Sequence, residues 1–265
     1  MQRAALEKIA GLVGDLPALP SVAAEALRLL TDPSSEPEQL QHVLSRDAAL
    51  SLKVLRLANS AYYRRKSAVS TLSAAIILLG FRTIQSLILS SAVHRVLSSN
   101  GAAASLWEHS LATAFACREL SRQSPVCSVD PEEAFLAGLF HDTAKSVIAT
   151  KFPGIYAKPL GASGEEELLG FHHGHLGQLL LSKWEIPARL AEAVGSHHSP
   201  EPSDLGRLAL AADWLAWEAA PGLGACRPLP PEHLLAQLGA DSVVLESIRE
   251  SLAGSMAEEL GADAA

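Results

Sequence analysis

Asp130-Pro131-Glu132-Glu133 opens the segment that most constrains what this chain can fold into. An aspartate N-cap, a proline at the first helical position and two first-turn carboxylates make a strong helix start. The next sixteen residues, AFLAGLFHDTAKSVIA, are apolar nearly all round. A helix of that kind has no solvent face and must be packed on every side. Helix start and stop signals recur along the rest of the chain, whereas strand signals are nearly absent. The expectation is an all-α bundle.

Ser35-x-x-Glu38 reads as a capping box with Pro37 in the first turn. Further helices are expected at about 48–58, 71–80 (ended by Gly80), 82–97 and 106–121, then from 131 to about 149. Others are expected near 165–184, 187–198 and 203–218, with two short helices after a Pro/Gly-rich linker at 221–231. Ser98-Ser99-Asn100-Gly101 marks a lobe boundary. The chain thus divides into a helical lobe at 1–100, a second at 101–220 that carries the chemistry, and an extension at 221–265 with none to read.

Composition excludes several function classes. With 265 residues, 48% hydrophobic and 19% charged, the chain has material for a large core. A net charge of −8 leaves no footprint for tracking phosphate backbones, so nucleic acid is not expected as a partner. The basic cluster Arg64-Arg65-Lys66 reads as a solvated turn. Three cysteines without a CxxC pair argue for a reducing compartment and against thiolate ligation. The N-terminus lacks a signal-peptide core, and the apolar runs AAIILLG and LALAADWLAW are too short to span a bilayer. A cytoplasmic protein with no membrane partner is expected; the sequence is compatible with a homo-oligomer.

Seven of the ten histidines fall between 109 and 198. At ~100° per residue, His109 shares a helix face with Ala112, Thr113, Ala116 and Leu120 and points to the core. His141-Asp142 lies inside the all-apolar segment, with small neighbours Ala137, Gly138 and Ala144, and with Lys145 at i+4 from His141. Asp213 sits among Ala209, Leu210, Ala216 and Trp217, where a carboxylate is costly unless paired or bound to a cation. His173, His197 and His198 complete a helix-borne set. His172 and His175 read as bystanders, and His42, His94 and His233 as surface residues. Imidazoles and carboxylates suit divalent transition metals, two of which could share the set and clamp a phosphate. Lys145 would then stabilise phosphoryl charge, with Asp142 beside it as the second candidate catalytic residue. The alternative is a buried, hydrogen-bonded His/Asp network without metal.

The chain also resembles a known family. Leu16-Pro17-Ala18-Leu19-Pro20, then Asp47-Ala48-Ala49-Leu50-Ser51-Leu52-Lys53-Val54-Leu55-Arg56-Leu57-Ala58-Asn59-Ser60, then Ser70 to Ile76 with Leu79-Gly80, look like the opening of an HDOD domain, an HD-related output domain of bacterial signal transduction. Trp107-Glu108-His109-Ser110 and Gly177-Gln178-Leu179-Leu180 with Trp184 and Pro187 continue the likeness over about 15–215. Ala48 departs from the usual proline. The resemblance implies a two-lobed, HD-domain-like helical fold and a regulatory role beside cyclic-nucleotide or two-component signalling. Most such domains have lost ligands of the HD phosphohydrolases. Here His109, His141, Asp142, His173, His197, His198 and Asp213 match the ligand order of HD-GYP-type phosphodiesterases, and Lys145 matches the lysine of HDxxK. His198 is followed by Ser199-Pro200-Glu201-Pro202, without the Gly-Tyr-Pro of the cyclic di-GMP enzymes.

Two functions therefore compete. One is a signalling module that binds proteins or a small nucleotide-like ligand, its cluster structural or metal-filled but catalytically idle. The other is a metal-dependent phosphohydrolase or phosphodiesterase holding iron or manganese rather than zinc. The family's role and the missing Gly-Tyr-Pro favour the first.

Overall fold

The computed structural model describes residues 9, 11–12, 18–32, 34–59, 63, 68–97, 103–124, 127–217, 219–220, 222 and 232–263. Arg64-Arg65-Lys66, the Ser98–Gly101 boundary, Leu16-Pro17, Ser60 and most of the 221–231 linker lie outside them. Among the described residues there is no strand, as an all-α reading requires. They form two units, residues 18–95 and residues 1–17 with 96–265.

In the first unit, α1 (Ser21–Thr31), α2 (Pro37–Leu44), α3 (Ala48–Ala58) and most of α4 (Leu72–Leu97) enclose Leu40, Leu44, Val54, Ile76, Ile84 and Ile88. The expected capping box is present but shifted by one residue, with Glu36 as N-cap and Gln39 reaching back to the Glu36 amide. Asp47 caps α3 by accepting from the Leu50 amide. Asn59 clamps the chain after α3: its side chain donates to the Leu55 and Val69 carbonyls and accepts from the Val69 amide. Gly80 breaks α4 at φ 75°, ψ 162°, a conformation that L side chains avoid. By length and composition alone, Leu72–Ala92 is long and apolar enough to cross a membrane, at a mean hydropathy of 1.8. The two short runs weighed in the sequence understate it.

The second unit contains α5 (Ala103–Gln123), α6 (Pro131–Phe140), α7 (Thr143–Lys151), α8 (Ala162–Leu169), α9 (His173–Lys183), α10 (Ala188–Ser196), α11 (Asp204–Trp217), α12 (Glu232–Gln237) and α13 (Ser242–Asp263). Residues 134–140 are all buried, as an apolar-all-round helix demands. α6 packs on α5, α10 and α11, and α5 also packs on α11 and α13. Asp130 caps α6 by accepting from the Glu132 and Glu133 amides.

Three sequence expectations need correction. The helix from 131 does not run to 149 but breaks at His141-Asp142, where Asp142 adopts φ −107°, ψ 2°. The single helix expected at 165–184 is two, because Gly170 takes the left-handed conformation and ends α8. Of the two C-terminal helices, only α12 is short, while α13 spans 22 residues.

Gly138 does not leave room for a ligand; it leaves room for α5. A Cβ there would lie 2.6 Å from the Thr113 carbonyl oxygen and 2.8 Å from Ala114 Cα and Cys117 Sγ. Gly138→Ala should therefore destabilise the fold by about 1–3 kcal/mol, read from the urea midpoint, because backbone and not a flexible side chain must move.

Candidate metal centre

The helix ends, more than the helix interiors, present the chemistry. His109 projects from within α5 and Asp213 from within α11, as expected. His141 and Asp142 occupy the α6–α7 junction, His173 is the first residue of α9, and His197-His198 come directly after α10. The expectation of helix-borne ligands thus holds for only part of the set. The junction matters because adjacent residues in a continuous helix diverge by ~100°. With α6 ended, His141 and Asp142 turn towards one another, Nε2 to Oδ2 3.4 Å apart.

The side chains converge. His109 Nε2 lies 2.9 Å from Asp213 Oδ1 and 3.8 Å from Asp142 Oδ2. His141 Nε2 is 3.8 Å from Asp213 Oδ1. On the other side of Asp142, its Oδ1 lies 3.1 Å from His173 Nε2. That nitrogen is in turn 3.3 Å from His197 Nε2 and 3.1 Å from His198 Nε2. Two groups of donor atoms result, His109/His141/Asp142 and His173/His197/His198, each within 4.8 Å. His109, His141, Asp142, His173 and His197 are buried, Asp213 is 13% exposed, and His198 sits at the rim.

Hydrogen bonds at the far side of each ring define what these atoms can do. His109 Nδ1 meets the Ala220 carbonyl, His141 Nδ1 that of Gly138, and His197 Nδ1 that of Val194, all at 2.7 Å. His173 Nδ1 meets Glu165 Oε2 at 2.7 Å. Carbonyl and carboxylate oxygens only accept, so all four Nδ1 atoms carry the proton. In a neutral ring Nε2 is then a lone pair. His173 and His197 consequently aim lone pairs at one another across 3.3 Å, an arrangement that needs a cation or a proton between them. His109 Nε2, His141 Nε2 and Asp142 Oδ1 are likewise buried with no hydrogen-bond partner among the described residues. Donors about 3 Å apart suit a shared ion with bonds of about 2.0–2.2 Å, and anchored Nδ1–H groups are what metal-ligating imidazoles require. The residues present fit a metal site.

Sequence reasoning missed the anchors. Glu165 stands first in the Glu165-Glu166-Glu167 run, which no motif singled out, yet it is fully buried and accepts from the His173 amide and ring. Its i+4 relation to buried Leu169 was the available signal. Ala220 and Gly222 lie where the second lobe passes into the 221–231 linker, and neither carries a side chain with chemistry to read. A Cβ on Gly222 would lie 2.7 Å from His109 Cδ2, so the chain there rests on that imidazole. His172, expected as a bystander, instead caps α9: its Nδ1 accepts from the Gly174 amide, and the His175 ring accepts from the His172 amide. Burial, with His175 and His173 nearby, pushes its pKa down to about 4. His42 and His233 are exposed, as expected.

Burial works against charge on each ligand, and neighbours decide the outcome. Asp142 is held well below the ordinary carboxylate range despite burial, by His141, Lys145 and His173. Asp213 is also held low against burial, chiefly by His109. Lys145 Nζ donates to Asp142 Oδ2 at 2.6 Å, and this partner keeps its pKa raised although the ammonium is buried. Lys145 therefore answers Asp142 at i+3, not His141 at i+4. Against burial, Asp142 raises the pKa of His141, and Glu165 with Asp142 raises that of His173. Burial and neighbouring imidazoles press the pKa values of His197 and His198 well below normal, so both rings are neutral near pH 7.

The comparisons with known proteins agree with this architecture. Residues 16–200 match the family model of the HDOD domain. The crystal structure of a Shewanella amazonensis SB2B protein, provisionally named a phosphohydrolase, is 26% identical; the match covers 99% of this chain and 98% of that one, with a TM-score of 0.72. An HDOD domain protein of unknown function from Geobacter sulfurreducens is 20% identical, with 96% of each chain covered and a TM-score of 0.69, a likeness of fold. An uncharacterized protein of Treponema pallidum (strain Nichols) is 24% identical over 201 residues, which is 72% of this chain. The chain spans 39% of the length of that relative.

The raised pKa values of His141 and His173 set a pH dependence. In metal-free protein their charge contributes stability that is fully present below the unfolded value near 6.5 and is lost as pH rises through the folded values. An entering ion competes with the same protons. Calorimetric titrations with Mn²⁺ should therefore show affinity rising, with proton release, as pH increases above the ordinary imidazole value of 6.5; affinity that is flat or falling there contradicts this assignment.

Proposed function

The chain belongs to the HDOD family, and on that premise we propose that it is a bacterial-type signal-transduction output module carrying a two-ion metal centre. The observation that carries this reading is the crowding of buried acceptors: Nε2 of His173 against Nε2 of His197, with His109 Nε2, His141 Nε2 and Asp142 Oδ1 making no hydrogen bond among the described residues although carboxylate oxygens or imidazole nitrogens lie 2.9–3.4 Å away. His109, His141, Asp142 and Asp213 would hold one ion. His173, His197, His198 and the other oxygen of Asp142 would hold the second. An imidazole and carboxylate set without thiolate suits a divalent transition metal, and its mixture of nitrogen and oxygen donors accommodates iron or manganese. A pair of divalent ions in such a centre supplies Lewis-acid polarisation of phosphoryl groups and activation of a nucleophile.

The chain's own residues do the rest. The Nδ1–H anchors hold each ring in one orientation. Asp142 presents one oxygen to each group of imidazoles. Lys145 balances Asp142 and offers an ammonium where an anionic ligand would bring its charge. The ligand or partner, in this reading, is a small nucleotide-like molecule or another signalling protein, met in the cytoplasm.

A specific observation also favours a second reading, metal-dependent phosphohydrolysis. All seven ligands and Lys145 are assembled in one place, more than a regulatory fold needs. The Ser199-Pro200-Glu201-Pro202 segment argues against cyclic di-GMP as the substrate.

Elemental analysis of anaerobically purified protein tests the first claim. Two iron or manganese ions per chain are expected, and Asp142→Ala should weaken both by more than the roughly 10–100-fold that loss of an outer hydrogen-bond partner costs. Wild-type protein that takes up no ion removes the metal reading. Phosphodiester hydrolysis by the loaded protein, abolished in Asp142→Ala, would establish the second reading over the first.

A further inference from the structure

We propose that Glu165 and Tyr156 form a positioning relay that serves chiefly one ion subsite, the one built on His173, His197 and His198. The inference rests on the metal reading above and adds to it which residues control which ion.

Glu165 is fully buried, while Glu166 and Glu167 beside it are exposed. Both of its oxygens are engaged. Oε2 accepts from the His173 amide and from His173 Nδ1, each at 2.7 Å, and Oε1 accepts from the Tyr156 hydroxyl at 2.8 Å. A carboxylate held from three directions cannot swing, and an imidazole bonded at its own amide and its ring cannot rotate. His173 is thereby fixed at the hub of its subsite, its Nε2 about equally close to His197, His198 and Asp142.

The anchor is also chemically different from the others. His109, His141 and His197 donate to neutral carbonyls, whereas His173 donates to a carboxylate. A charged acceptor makes the stronger hydrogen bond and a more basic ligand nitrogen on the far side of the ring. Among the described residues, no hydrogen bond or ion pair joins Glu165 to His109, His141 or Asp213. The influence should therefore fall chiefly on one ion, reaching the other only at second hand through Asp142, which His173 meets at 3.1 Å.

The test is a Co²⁺ titration of the full, metal-stripped chain, followed by visible absorption and calorimetry. Wild type should take two ions; His198→Ala identifies the ion of the second subsite and Asp213→Ala that of the first. Glu165→Gln should weaken the ion that His198→Ala weakens, by roughly 10–100-fold, and leave the other within about 2-fold. Tyr156→Phe should do the same to a smaller degree, and it carries the test if Glu165→Gln does not fold. On a His198→Ala background, Glu165→Gln should cost less than it does in wild type, as coupled residues require. Equal weakening of both ions, or no change at either in a folded variant, overturns the relay while leaving the two-ion centre standing. A wild-type chain that binds no Co²⁺ overturns both.

Discussion

Four imidazoles in this protein are each held at the back by an oxygen that cannot donate. That constraint governs the rest of the site. Three of the oxygens are main-chain carbonyls, at Gly138, Val194 and Ala220, and the fourth is the Glu165 carboxylate. Because carbonyl positions belong to helix ends and to the chain after α11, the ring orientations are properties of the backbone. The Nε2 atoms are then delivered to two neighbouring groups, His109 with His141 and His173 with His197, by the backbone itself. Asp142 between the two groups supplies negative charge, and Lys145 balances part of it.

Helix termination is how the fold brings so many ligands together. A side chain inside a helix is fixed to the 3.6-residue repeat. His141 keeps helical backbone at the end of α6 and the chain turns at Asp142, which releases that carboxylate from the repeat; His173 opens α9, and His197-His198 follow the last turn of α10. Close helix contacts keep the ends in register. Gly138 lets α6 meet the α5 backbone, and Gly174 brings the start of α9 against the Val194 carbonyl that anchors His197.

Membership of the HDOD family explains the fold, and the convergence of His109, His141, Asp142, His173, His197, His198 and Asp213 gives that fold a buried His/Asp cluster. A cluster of this kind can serve shape, ligand recognition or chemistry. These differ physically in whether an anionic ligand reaches Lys145 and Asp142. Ser199-Pro200-Glu201-Pro202 comes after the rim histidine and stands where a substrate signature would be sought.

Much of the fold is local and was therefore readable. Asp130-Pro131 dictates a helix start through capping, and the apolar run after it dictates burial; both depend only on neighbours in the chain. Asp213 could be identified because an unpaired carboxylate among apolar helical neighbours has few stable environments. The break at His141-Asp142 was not readable, since no glycine or proline marks it. Nor were the anchors at Ala220, Gly222 and Glu165. Any residue can offer a carbonyl, and one glutamate in a run of three gives no sign of being the buried one. By itself, the sequence determined which side chains had to find compensation. Only the tertiary structure decided what compensates them, because hydrogen-bond direction and ring orientation arise between elements far apart in the chain.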